Sequence, residues 1–83
     1  DNALLAYCAL LSAARNGSVT DNIAVKALLQ AVTLFSDNRL VAQGATALAV
    51  KLPSEVVQQI LENLPNNPTA QHLRDEIAWM VEC

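Results

Sequence analysis

The sequence predicts an all-α domain of five short helices packed as antiparallel helical hairpins, arranged either as a compact orthogonal bundle or as a short array of helix pairs. Three observations carry this expectation. Apolar residues recur at helical spacing in successive stretches, and those stretches are separated by short Gly, Pro or Asn-rich breaks. No stretch alternates apolar and polar residues as a strand does. Aromatic residues make up only 4% of a chain that is 53% apolar. The core must therefore be assembled from Ala, Leu, Val and Ile, which suits closely approaching helices.

The stretch from Val25 to Val50 shows the pattern best. Val25, Leu28, Leu29 and Val32 fall at i, i+3, i+4 and i+7, and Leu40, Val41, Gly44, Ala45 and Leu48 fall at i, i+1, i+4, i+5 and i+8. Ser36-Asp37-Asn38 joins the two halves, and so short a turn makes neighbouring helices antiparallel. Gly44, Ala45 and Ala49 leave little side chain to hold the two axes apart, so a tight hairpin is expected here. The 83 residues form a single domain, 1–83. At this size a core supplies about 3 to 5 kcal/mol of net stability, which favours help from a partner.

Taken in order, the first helix spans Asn2 to Arg15, with Leu4, Leu5, Cys8 and Leu11 on one face and Asn16-Gly17 as a left-handed stop. Ala6, Ala9, Ala13 and Ala14 cover much of the remainder. A helix apolar all round is covered on more than one side, either at the centre of the domain or against a partner. Its apolar run from Ala3 to Ala14 is about 12 residues long, against the roughly 20 that a bilayer requires, and no basic flank marks it as a signal peptide. With no initiator Met, the chain reads as trimmed.

Thr20 and its neighbours offer caps for a second helix from about Asp21 to Phe35, and Asp21 suits the positive end of its dipole. The third helix starts at Ser36 or Asp37 and stops near Lys51-Leu52, because Pro53 restricts the residue before it. Pro53 opens the fourth helix, in which Val56, Val57, Ile60, Leu61 and Leu64 face inward and Glu55, Gln58, Gln59, Glu62 and Asn63 face outward. Leu64 to Pro68 is a turn, with Asn67-Pro68 as the cap and first position of a fifth helix that turns Leu73, Ile77, Met80 and Val81 inward.

The helices also pair in sequence. Leu28, Leu29 and Val32 match Ile60, Leu61 and Leu64 at an offset of 32, and Leu40, Ala45 and Leu48 match Leu73, Ala78 and Val81 at 33. Carried backwards, the offset places Cys8 under Leu40 and Ala13 under Ala45, so the first helix reads as the second half of a preceding unit. Leu34-Phe35-Ser36-Asp37-Asn38-Arg39-Leu40-Val41 with Ala45, and Leu64 to Ala78 with Leu73-Arg74, resemble a HEAT-type α-solenoid repeat over roughly Asp21 to Glu82. The first unit has Val41-Ala42 where that family has Val-Arg, and the second turn holds two prolines and no Asp. The resemblance implies a protein-binding surface without chemistry of its own.

The residues themselves point the same way. A formal charge of −3, from five basic and eight acidic residues spread singly, gives no basic stripe for phosphates. The third helix has only Arg39 and Lys51, near its two ends, as a recognition surface for DNA, which argues against a helix-turn-helix binder. His72, Asp75 and Glu76 share a helix face at ligand spacing, but no second His completes a metal set, so the trio reads as a surface ion pair. No base, orienter and oxyanion hole assemble around a nucleophile, and Gly44 has no phosphate-loop context. No catalytic, cofactor or metal residue is therefore assigned.

What remains is a non-enzymatic adaptor, chaperone-like or regulatory domain that binds another protein or a second copy of itself. Its expected contact residues are Ala6, Ala9, Leu10 and Ala13 on the first helix, or Trp79 on the last, a residue type enriched at binding hot spots. Packing is the competing role for Trp79 and for Tyr7, while Phe35 closes the end of the hairpin. A structural piece of a longer helical-repeat protein is the alternative function. Cys8 and Cys83 read as free thiols of a reducing, cytoplasmic compartment, with a disulfide between the chain ends as the alternative.

Overall fold

A computed structural model describes residues 2–82, with side chains for residues 2–79. The described residues form five α-helices and no strand: α1 (Asn2–Arg15), α2 (Asp21–Leu34), α3 (Arg39–Ala49), α4 (Ser54–Asn63) and α5 (Pro68–Glu82). Each boundary has a local cause. Gly17 at φ 81° ends α1, with its N–H bonded to Ala14 O and the Ser18 N–H bonded to Ala13 O. These are the two bonds of a Schellman stop. The Thr20 hydroxyl accepts from the Ile23 N–H at the start of α2, and Asn38 Oδ1 accepts from the Val41 N–H at the start of α3. Asn67 Oδ1 does the same for the Ala70 N–H, with Pro68 at the first helical position of α5.

Two boundaries differ from expectation. α3 begins at Arg39 because Asn38 is extended and serves as its cap, and it ends at Ala49 because Lys51 and Leu52 turn to i−3 partners, Leu48 O and Ala49 O. Pro53 lies outside α4: its ψ of 150° is extended, while its carbonyl accepts from the Val56 and Val57 N–H groups.

α3 is the central helix, flanked by α1 on one side and α5 on the other, and α2 lies across the bundle against α1, α3, α4 and α5. Leu11, Leu28, Val32, Val41, Leu48, Ile60 and Leu73 form the heart of the core. Buried alanines, Ala24, Ala27 and Ala31 on α2 and Ala42, Ala45 and Ala49 on α3, let the backbones approach. The expected α2–α3 hairpin exists, but α3 packs more extensively on α1 and α5 than on α2. Gly44 accordingly faces α1: a Cβ there would meet Leu11 Cδ1 at 3.5 Å.

Two residues expected inside are exposed instead. Leu5 is 67% exposed, because it lies about 120° around α1 from Leu11, beyond what α2 and α3 cover. Leu40 is 62% exposed, since Val41 takes the inward place in the first turn of α3. Val25, Leu29, Val56, Val57 and Leu61 are half-buried and packed against the core. Met80 and Val81 lie outside the described side chains, and a Cys8–Cys83 pairing lies outside the described residues.

The repeat pairs behave unequally. Leu28 and Ile60 are both buried, Leu29 and Leu61 both half-buried, and Val32 and Leu64 both buried, so α2 and α4 use their matched residues alike. Leu40 is exposed where Leu73 is buried, and Ala45 is buried where Ala78 is exposed.

A polar clasp fixes the start of α5 to the α2–α3 turn. The Thr69 hydroxyl donates to Phe35 O and accepts from the Asn38 N–H at 2.8 Å; the Thr69 N–H donates to Ser36 O at 3.0 Å. Asn67 Nδ2 adds a bond to Val32 O at 3.2 Å. Thr69 is 2% exposed, the buried polar residue of the core, and all its hydrogen-bonding groups are satisfied here.

Candidate functional site

The clasp sets α5 alongside α3, and a valley of about 520 Å³ runs between them. Arg39 and His72 stand at one end, Gln43 and Glu76 in the middle, and Val50 at the other end. Trp79 lies two turns beyond His72 and within about 20° of the same stripe of α5. It is 65% exposed, so the indole serves the surface and not the core. Along α3 the span from Arg39 to Val50 is about 16 Å, at 1.5 Å per residue.

Val50 also lines a second, largely apolar groove of about 450 Å³, with Leu52 beyond the end of α3, Val57 and Leu61 on α4, and Ile77 on α5. Sequence reasoning placed Val57, Leu61 and Ile77 simply inside. The signal was present in the width of the α4 stripe: Val56 to Leu61 spans about 140° around the helix, more than one neighbour covers. α4 packs chiefly on α2, which leaves the Val57 and Leu61 side open to the groove.

On α1, Ala6 and Ala9 are exposed, while Leu10 and Ala13 are half-buried. The four residues therefore form a partly covered face and not a free one. Beside it, Tyr7 on α1 and Leu29, Thr33 and Leu34 on α2 border a shallow depression of about 460 Å³. Tyr7 is held by an edge-on contact with Phe35, ring centroids 5.8 Å apart, which gives both aromatic rings a packing role at the end of the α2–α3 hairpin. The structure thus separates the two expected contact surfaces: the Ala6–Ala13 face lies on α1, Trp79 on α5, and α3 stands between those helices.

The His72, Asp75 and Glu76 trio does not converge. His72 Nε2 is 3.9 Å from Glu76 Oε1, whereas Asp75 Oδ1 accepts from Gln71 Nε2 at 3.0 Å. Among the described residues no group of three His, Cys, Asp or Glu side chains is placed to hold a metal ion. Arg74, read in sequence as part of the repeat motif, donates to Leu64 O and closes the end of α4. Cys8 is half-buried and has no disulfide partner among the described residues. Among the described residues no helix is long and apolar enough to cross a membrane. Comparison with family models, with curated proteins and with solved structures finds no match to this chain.

Proposed function

We propose that this chain is a non-enzymatic protein–protein interaction domain of the cytoplasm, an adaptor or regulatory module that binds a partner protein or a second copy of itself through helix faces. One observation carries the reading: the chain's single Trp stands 65% exposed, in line with a valley between two helices that ends in the exposed Val50. A large aromatic held on a rigid helix beside a shaped depression is the kind of residue that dominates interface energies. The valley's polar end, with Arg39 and His72, supplies orientation, and its Val50 end supplies apolar area.

Light scattering over a range of concentrations, on the wild type and on Leu10→Glu, divides the two kinds of partner. A wild-type dimer that becomes a folded monomer in Leu10→Glu places self-association on α1. A folded monomer in both directs attention to the valley, where a photo-crosslinking residue at Gln43 is the probe. Crosslinks competed away by excess wild type but not by excess Trp79→Ala support the reading. A monomer whose crosslinks are absent, or are competed equally by both proteins, refutes it.

A second reading, a piece of a longer HEAT-like helical array, is favoured by the order in which the helices pack. α1 packs on α3, α3 on α5 and α2 on α4, as alternate helices of stacked pairs do, while α4 and α5 pack little on each other. The mass of the natural product tests it: a parent much larger than 83 residues supports the array, and a natural product of this length refutes it.

A further inference from the structure

We propose that Asn16-Gly17 is a self-modifying site, at which the Asn16 side chain converts to aspartate and isoaspartate and so loosens the end of α1. The inference goes beyond the binding function and does not depend on it. Both residues are exposed in the turn that leaves α1. Gly17 adopts φ 81°, and a Cβ built on it would meet nothing within 4 Å apart from its two chain neighbours, so no other element packs over the turn at that point. The Asn16 N–H is bonded to Ser12 O, but no described hydrogen bond holds its side-chain amide, unlike the side-chain amides of Asn38, Asn63 and Asn67.

The sequence makes this asparagine unlike the others. Asn2, Asn22, Asn38, Asn63 and Asn66 precede residues with side chains, which crowd the attacking nitrogen, and Asn67 precedes Pro68, which has no N–H to lose. Only Asn16 precedes glycine. The glycine that the left-handed helix stop requires is thus also the residue that exposes Asn16 to attack.

In the first step the Gly17 nitrogen attacks Asn16 Cγ. The N–Cγ bond forms, the Cγ–NH₂ bond breaks, and ammonia leaves with the proton that the Gly17 nitrogen gives up. Water then adds to the resulting five-membered imide. Cleavage of the Cγ–N bond gives aspartate, and cleavage of the bond from the main-chain carbonyl carbon gives isoaspartate; the ring nitrogen recovers its proton in either case. No oxidant, metal or enzyme takes part.

The fold sets the rate. The Gly17 N–H is bonded to Ala14 O at 3.1 Å, and attack needs that bond open. It belongs to the last turn of a helix, where opening is cheapest. The products keep the turn from closing again. A carboxylate at the C-terminal end of α1 opposes the helix dipole, and isoaspartate inserts an extra backbone carbon between residues 16 and 17. The Ser18 N–H to Ala13 O bond, 3.0 Å in the intact turn, then loses its register.

The test incubates the folded wild type, the wild type unfolded in urea, and folded Asn16→Gln at mildly alkaline pH, with peptide mass mapping over time. In the folded wild type the peptide bearing Asn16 is expected to gain the mass difference between an amide and an acid several-fold faster than any other Asn peptide. Isoaspartate should exceed aspartate, and Asn16→Gln should remain unconverted at that position. The converted fraction, separated by ion exchange, should unfold at lower denaturant than the unconverted one. Conversion in urea but none in the folded protein would show that the turn holds the nitrogen shut, and would overturn the proposal. Equal conversion at all Asn peptides, or an unchanged denaturant midpoint after conversion, would overturn it as well.

Discussion

Replacing Thr69 by Val tests how much the clasp between α5 and the α2–α3 turn contributes. The substitution keeps the branched shape and removes only the hydroxyl, which donates to Phe35 O and accepts from the Asn38 N–H. Each lost bond leaves a backbone group unsatisfied in a place that is 2% exposed, at about 1 to 1.5 kcal/mol apiece. The added methyl returns about 0.8 kcal/mol of apolar burial. The net loss is about 1.2 to 2.2 kcal/mol, or roughly 10 °C in Tm for a domain of this size. Thr33→Val is the control: its hydroxyl, bonded to Leu29 O at 2.8 Å, is exposed on α2, so water replaces the lost partner and the cost stays within about 0.5 kcal/mol. Urea unfolding followed by far-ultraviolet circular dichroism measures both. If the two variants lie within about 0.5 kcal/mol of each other, the turn groups find other partners and the clasp does not hold α5 in place.

Three further outcomes follow from the packing. Gly44→Ala places a Cβ 3.5 Å from Leu11 Cδ1, an ordinary contact, so the gain in helix propensity of up to about 1 kcal/mol should appear as a higher urea midpoint. Asn67→Ala removes the cap on Ala70 and the bond to Val32 O together, and calorimetry should show a loss of about 1 to 2 kcal/mol. Leu28→Ala empties a fully buried position at a cost of about 2 to 5 kcal/mol, comparable with the whole stability of a domain this small, so its amide spectrum should collapse toward that of an unfolded chain.

What the sequence revealed and what it concealed divide along the range of the forces involved. Gly17, Pro53 and the Asn67-Pro68 pair act on their own turns, so the breaks between helices were legible from residue type alone. The inward stripe of α4 was legible too, since Val56, Ile60 and Leu64 recur at helical spacing. Which helix covers which was not. Leu5 and Leu40 look as apolar as Leu4 and Val41, and only the directions from which neighbouring helices arrive leave them in solvent. Gly44 was read as a gap for α2 and is a gap for α1. The valley between α3 and α5 depends on Thr69, which shows nothing in sequence because its partners are backbone groups 31 and 34 residues away. Trp79 reads in sequence more as packing than as contact for the same reason, and its exposure depends on where α3 and α5 lie.

The exposed indole also divides the protein's optical signals between two events. Tyr7 and Phe35 are the ring pair that loses its neighbours when the bundle unfolds, whereas Trp79 is already mostly exposed in the native state. Tryptophan emission therefore changes less on denaturation than a buried indole's would, and responds to whatever covers the exposed face of α5 near its end. With one such fluorophore in the chain, the proposed function predicts a blue shift without a change in helicity when a partner is added, with no label attached.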